Sequence, residues 1–110
     1  MEIRRVNDDF AVAGQIGPEA VADIAAAGYK SIVCNRPDTE DGAVPHDAVE
    51  QAARAAGIEF RFLPVVSGAI TDEEVQEMSA ILASLPAPVL AYCRTGGRCM
   101  NLYAMVQAAK

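Results

Sequence analysis

The sequence predicts a single α/β domain in which helices flank a mostly parallel sheet. Two observations carry this. Short runs rich in Val, Ile and Leu alternate with Ala-rich amphipathic stretches along the whole chain, and such alternation needs crossover connections that lay strands parallel. With 110 residues, 52% of them hydrophobic, the chain has the length of one domain. It can bury a core without disulfides or metals to staple it.

The elements follow in order. Phe10 to Ala13 reads as a short strand. Pro18 at a first helical position, then Ala20, Val21, Ile24 and Ala25 before Gly28, predict a helix over 18–27. Ser31-Ile32-Val33-Cys34-Asn35 is a buried strand. The polar, turn-rich run Arg36 to Gly42 after it is too irregular to pack and forms a loop at that strand's C-terminal end. A helix from about His46 to Ala56 is closed by Gly57, and the strand Glu59 to Leu63 is cut off by Pro64. Thr71 and Glu74 form a capping box, and Val75, Met78, Ile81, Leu82 and Leu85 then share one helical face, ended by Pro86. Val89 to Tyr92 is the last strand. Met100, Tyr103, Ala104 and Gln107 mark one side of a final helix. Ligands of such sheets sit beyond the C-terminal ends of the strands, so the loops after Asn35, Leu63 and Tyr92 are expected to converge.

Composition narrows the function. Fifteen acidic against nine basic residues give a net charge of −6, which argues against a nucleic-acid partner. No run of 18 apolar residues exists to span a membrane. The start, Met1-Glu2-Ile3-Arg4-Arg5, lacks a signal peptide's apolar stretch, and three cysteines make no disulfide framework. A reducing cytoplasm is the expected setting. One histidine, with cysteines at 34, 93 and 99, offers no usual metal-ligand spacing, and no cofactor is implied. The helix running to Lys110 closes the chain abruptly, as in a piece of a larger parent protein.

The chemistry is expected in Ala91-Tyr92-Cys93-Arg94-Thr95-Gly96-Gly97-Arg98-Cys99, where an apolar strand gives way to a helix. A cysteine at a helix N-terminus, flanked by Arg94 and Arg98, meets backbone N–H groups and the positive end of the helix dipole. Its pKa should fall into the range of roughly 3.5–7.5 known for such settings. Gly96 and Gly97 let the backbone turn its amides inward as an anion-binding nest, with Thr95 contributing mainly a backbone donor. Arg98 is the candidate for two-pronged binding of an anionic substrate, while Arg94 either joins it or is solvated.

Here the chain resembles the beta-lactamase-hydrolase-like, or DUF442, phosphatase-like domains, which are relatives of dual-specificity phosphatases. Cys34-Asn35-Arg36-Pro37-Asp38, Leu63-Pro64-Val65-Val66-Ser67-Gly68 and Cys93-Arg94-Thr95-Gly96-Gly97-Arg98 carry the resemblance, in that order and spacing. It implies a cysteine-phosphatase-like architecture. Such domains occur alone or joined to metallo-beta-lactamase-like enzymes of sulfide and persulfide handling, so a fused or associated persulfide enzyme is an expected partner.

Two departures from the phosphatase pattern bear on the reaction. Dual-specificity phosphatases place five residues between nucleophile and arginine, whereas four, Arg94 to Gly97, separate Cys93 from Arg98. The loop is similar to that of single-domain rhodaneses, Cys-Arg-x-Gly-x-Arg, whose amides surround a cysteine persulfide. Second, Ser67 stands where phosphatases carry the acid that protonates the leaving oxygen. Lacking such an acid forfeits about 10²–10⁴ in rate with a poor leaving group. Sulfur transfer needs none, since sulfite and thiolates leave as anions.

The reading these departures favour is sulfane-sulfur transfer through a Cys93 persulfide, from a small anionic donor to a thiol acceptor. The alternative is phosphoester hydrolysis through a phosphocysteine, with Asp38, Asp41 or Asp72 replacing the acid. A third is a non-catalytic module that binds an anion or presents a persulfide. Cys99 stands where both related families usually have a hydroxyl that bonds the nucleophile; it reads foremost as packing, and otherwise as a second sulfur beside Cys93. Cys34 reads as buried; in position it resembles the resolving cysteine of redox-regulated phosphatase relatives, which would make it a redox partner of Cys93. His46 reads as a solvated helix-end residue, and Tyr92 and Tyr103 as packing.

Overall fold

The computed structural model describes residues 1–110. Its sheet has five strands: β1 (Ile3–Arg5), β2 (Phe10–Ala13), β3 (Ser31–Cys34), β4 (Glu59–Phe62) and β5 (Val89–Tyr92). Their order is β1-β2-β5-β3-β4, with β1 antiparallel to β2 and every other pair parallel. The helices are α1 (Val21–Ala26), entered by a 3-10 turn at Pro18–Ala20, α2 (His46–Ala55), α3 (Asp72–Ser84) and α4 (Gly97–Ala108).

Crossover handedness distributes the helices. The chain moves outward from β2 to β3 to β4 and then returns to the centre at β5. Right-handed crossovers therefore place α1 and α2 on one face and α3 on the other, where α4 joins it. Every residue of β2, β3 and β5 is buried, as strands covered on both faces must be. The pleat divides them: Val12, Ala91 and Val33 pack with Val75, Met78, Leu102 and Val106, while Ala11, Leu90 and Ile32 pack with Val21, Ile24, Val49 and Ala53. Tyr103 ties α4 to the β1–β2 hairpin, stacking on Phe10 with ring centroids 4.0 Å apart and accepting a 2.8 Å bond from Asn7.

The capping box of α3 forms in both directions, Glu74 N donating to Thr71 Oγ1 at 3.1 Å and Thr71 N to Glu74 Oε1 at 2.9 Å. Four expectations need correction. The 18–27 helix is a 3-10 turn followed by a shorter α-helix. Strand β1 is additional: of its three residues only Ile3 is half-buried, so no apolar alternation announces an edge. The buried side of α4 is Cys99, Leu102 and Val106, whereas Met100, Ala104 and Gln107 face outward and Tyr103 is half-buried. In this Ala- and Met-rich segment the apolar stripe is too broad to fix the helix rotation. Finally, the loop after β3 does pack, and its Arg36 is 5% exposed.

Candidate active site

The cradle begins where β5 runs out. Cys93 keeps one more sheet bond, its amide donating to Ala13 O at 3.3 Å. The next carbonyls are then drawn outward, Arg94 O by the amide of Gln15 at 3.2 Å and Thr95 O by the Arg4 guanidinium at 2.8 Å. With its carbonyls pinned outside, the loop turns its amides inward. Gly96, the N-cap of α4, sits at φ +93°, a conformation that glycine alone adopts without strain. A side chain there would also strike the Arg4 guanidinium, and one on Gly14 would press to 3.0 Å from Arg94 O. Small residues on both sides let the loop lie this close to the β1–β2 edge.

Cys93 is 1% exposed, and its Sγ accepts the Gly96 amide at 3.1 Å. Its pKa is pulled down to about 5, first by the Cys99 thiol bonded to it; burial opposes this, and the amides of Cys99, Thr95 and Gly96 add to it. Cys99 moves the other way, its thiol pushed well up by burial and then by the thiolate it serves. One sulfur thus holds a negative charge because the other keeps its proton. Cys99→Ala is expected to raise the midpoint of Cys93 alkylation against pH above about 5, towards the free cysteine value of roughly 8.5. Cys99→Ser, whose hydroxyl also donates, should keep it low; iodoacetamide kinetics across pH would decide.

Arg98 lies in the first turn of α4. Its Nη1 donates to Glu40 Oε2 at 2.8 Å and to Val65 O at 3.0 Å, and its Nη2 to Glu40 Oε1 at 3.1 Å. Its Nε is buried without a partner. Burial works against the Arg98 charge, but Glu40 outweighs it and the pKa is raised. Conversely, Arg98 foremost holds the Glu40 carboxyl below its ordinary value. Beside the loop lies a cleft of about 440 Å³ lined only by Arg36, Glu40, Asp41, Arg94 and Arg98. The loops after β3, β4 and β5 do converge, joined by the one after β2, whose Gln15 bonds both Arg36 and the cradle.

The other residues singled out in the sequence sort clearly. Arg94 is exposed at the cleft, and Asp41 lines it. Asp38 is engaged elsewhere: its carboxylate accepts from the His46 amide at 2.9 Å and pairs with His46 Nδ1 at 2.7 Å. Burial of Asp38 is outweighed by His46, so its pKa is lowered, which unsuits it as an acid. His46 is a packing residue more than a solvated one, stacked on Phe62 at 3.7 Å. Asp72 is exposed at the start of α3 and Ser67 in the turn before it. Cys34 packs in the core against α1 and α2, while Cys93 and Cys99 belong to the opposite core. The Cys34 thiol donates to Arg36 O at 3.4 Å, and burial raises its pKa. The pleat that sends the two side chains to opposite faces does not pair Cys34 with Cys93; Cys99 is the sulfur beside it.

Glu40 and Gln15 were not singled out in the sequence, and Arg36 only as part of the motif Cys34 to Asp38. A signal was present: Arg36 and Glu40 stand four apart just beyond a strand end predicted to face the cysteine loop.

Known proteins resemble this chain to different degrees. A beta-lactamase hydrolase-like protein of Xylella fastidiosa (strain Temecula1) is 36% identical over 106 residues, which cover 96% of this chain and 25% of that protein. The chain therefore spans about a quarter of the length of the curated relatives it matches. The crystal structure of a candidate phosphatase from Neisseria meningitidis Z2491 superposes with a TM-score of 0.88 at 32% identity, covering 99% of this chain and 78% of that one. The core catalytic domain of the PP-IP phosphatase SIW14 from S. cerevisiae shares the fold alone, with a TM-score of 0.66 at 14% identity, covering 86% and 56%. The model of the beta-lactamase hydrolase-like protein, phosphatase-like domain, matches residues 2–110, and this chain belongs to that family.

Proposed function

We propose that the chain hydrolyses phosphomonoesters through a phosphocysteine at Cys93. The observation that carries this reading is a buried thiolate ringed by inward amides, beside an arginine whose buried Nε has no protein partner, in a fold shared with cysteine phosphatases. The Cys93 thiolate attacks phosphorus as the ester P–O bond breaks. The leaving oxygen takes a proton, and water then cleaves the P–S bond to release phosphate and restore the thiolate. Amides and Arg98 stabilise the charge gathering on the phosphoryl oxygens.

Asp41 is the acid best placed for the leaving oxygen, being the cleft carboxyl engaged by neither arginine. Asp41→Asn is expected to slow hydrolysis of alkyl phosphates about 10²-fold and to leave p-nitrophenyl phosphate, whose leaving group needs no proton, nearly unaffected. Equal losses on both substrates would remove Asp41 from this role.

Sulfane-sulfur transfer is a second reading, favoured by the Cys99 thiol against Cys93 and by the lack of a carboxyl at Ser67. It would suit a domain working with a persulfide enzyme joined to it or associated with it. Intact mass of the reduced chain separates the two. A quenched phosphoryl adduct from p-nitrophenyl phosphate that needs Cys93 supports hydrolysis. A sulfur adduct from thiosulfate that is discharged to a thiol, with no phosphoryl adduct, supports transfer.

A further inference from the structure

We propose that Glu40 is a positioning residue that aims Arg98 at the substrate oxyanion, with Arg36 holding Glu40 in turn. This rests on the reading of Arg98 as the oxyanion's partner. A guanidinium has five donors in one plane. In Arg98 both Nη1 hydrogens are used, on Glu40 Oε2 and Val65 O, and one Nη2 hydrogen goes to Glu40 Oε1. The Nε hydrogen and the second Nη2 hydrogen remain, and in the planar guanidinium these two lie along the same side. Glu40 therefore occupies the far edge and leaves a two-pronged donor free. The buried Nε of Arg98 lacks any protein acceptor, and a two-pronged guanidinium edge matches two oxygens of a tetrahedral oxyanion.

The clamp is itself built. Arg36, 5% exposed, donates from Nε to Glu40 Oε1 at 3.1 Å. Its other nitrogens reach Gln15 Oε1 at 2.9 Å and the Asp41 carbonyl at 2.5 Å. Three loops, after β2, β3 and β4, thus set one side chain on α4. Without the carboxylate, Arg98 would keep only the Val65 carbonyl and could swing among rotamers, losing the alignment on which oxyanion binding depends.

The test follows alkylation of Cys93 by iodoacetamide in the full chain and its protection by inorganic phosphate, with Glu40→Gln, Glu40→Asp and Arg36→Lys beside the unaltered protein. Thermal melts establish that each is folded. The expected result is a thiolate midpoint still near 5 and phosphate protection weakened about tenfold or more in Glu40→Gln. Glu40→Asp should recover part of it, Arg36→Lys should lose less, and turnover should fall in kcat/KM accordingly. Protection equal to that of the unaltered protein in both Glu40 variants would overturn the proposal alone. So would tighter protection in Glu40→Gln, which would make Glu40 a competitor for Arg98. If neither phosphate nor thiosulfate protects the unaltered protein, Arg98 is not an oxyanion site and both readings fall. Should Glu40→Gln not fold, the Glu40→Asp and Arg36→Lys comparisons decide.

Discussion

Cys93→Ser is expected to lower phosphoester hydrolysis by on the order of 10⁴-fold or more, as loss of a covalent nucleophile does. A serine hydroxyl in the same cradle stays protonated, because the donors that bring a thiol to about 5 start from a far higher alcohol pKa. Iodoacetamide labelling should show the complementary result: one fast-reacting sulfur with a midpoint near pH 5, absent from the variant, while Cys34 and Cys99, both shifted upward, stay slow. Labelling spread evenly over three cysteines would contradict it. Stability carries the same signature. The folded pKa of Cys93 lies below its ordinary value of 9.0, so ionisation adds stability that is fully present above that value. The contribution is lost as pH falls through about 5. Melts of the unaltered protein should therefore gain on those of Cys93→Ser as pH rises from 5 towards 9.

Arg98→Lys is expected to be the second most damaging change, about 10²–10³-fold in kcat/KM, although charge is conserved. A lysine presents one ammonium point; it cannot grip Glu40 with one edge and keep a second, parallel pair of donors open. Alkylation of Cys93 should continue with a low midpoint, since its largest stabilising partner is Cys99 rather than Arg98. Phosphate protection should be lost. The pair of measurements separates making the nucleophile from binding the anion, and a lysine variant with unaltered kcat/KM would place the oxyanion elsewhere.

Much of this was legible in the chain because it depends on neighbours in sequence. The strands at 10–13, 31–34 and 89–92 are short apolar runs, the capping box of α3 is a contact three residues apart, and Cys93 to Arg98 is one continuous stretch of chain leading into α4. Alternation of strand and helix leaves few parallel topologies, so the convergence of loops at one sheet end was legible too. The loop's smaller spacing was equally plain, but it pointed to sulfur transfer, while the kinship of the whole domain favours phosphatase chemistry.

What tertiary structure decided are contacts between residues far apart in the chain. Arg4 reaches Thr95 across 91 positions, and Arg98 reaches Glu40 across 58. Neither leaves a periodic trace, because each depends on which strand lies beside which. The two cores depend on the pleat, which sends Cys34 to one face and Cys93 to the other although both stand at strand ends. Sequence by itself determined where the low-pKa cysteine is, through local backbone geometry and glycine placement. Only the folded sheet, by bringing an arginine–carboxylate network from three loops against one helix, decided how Arg98 is held.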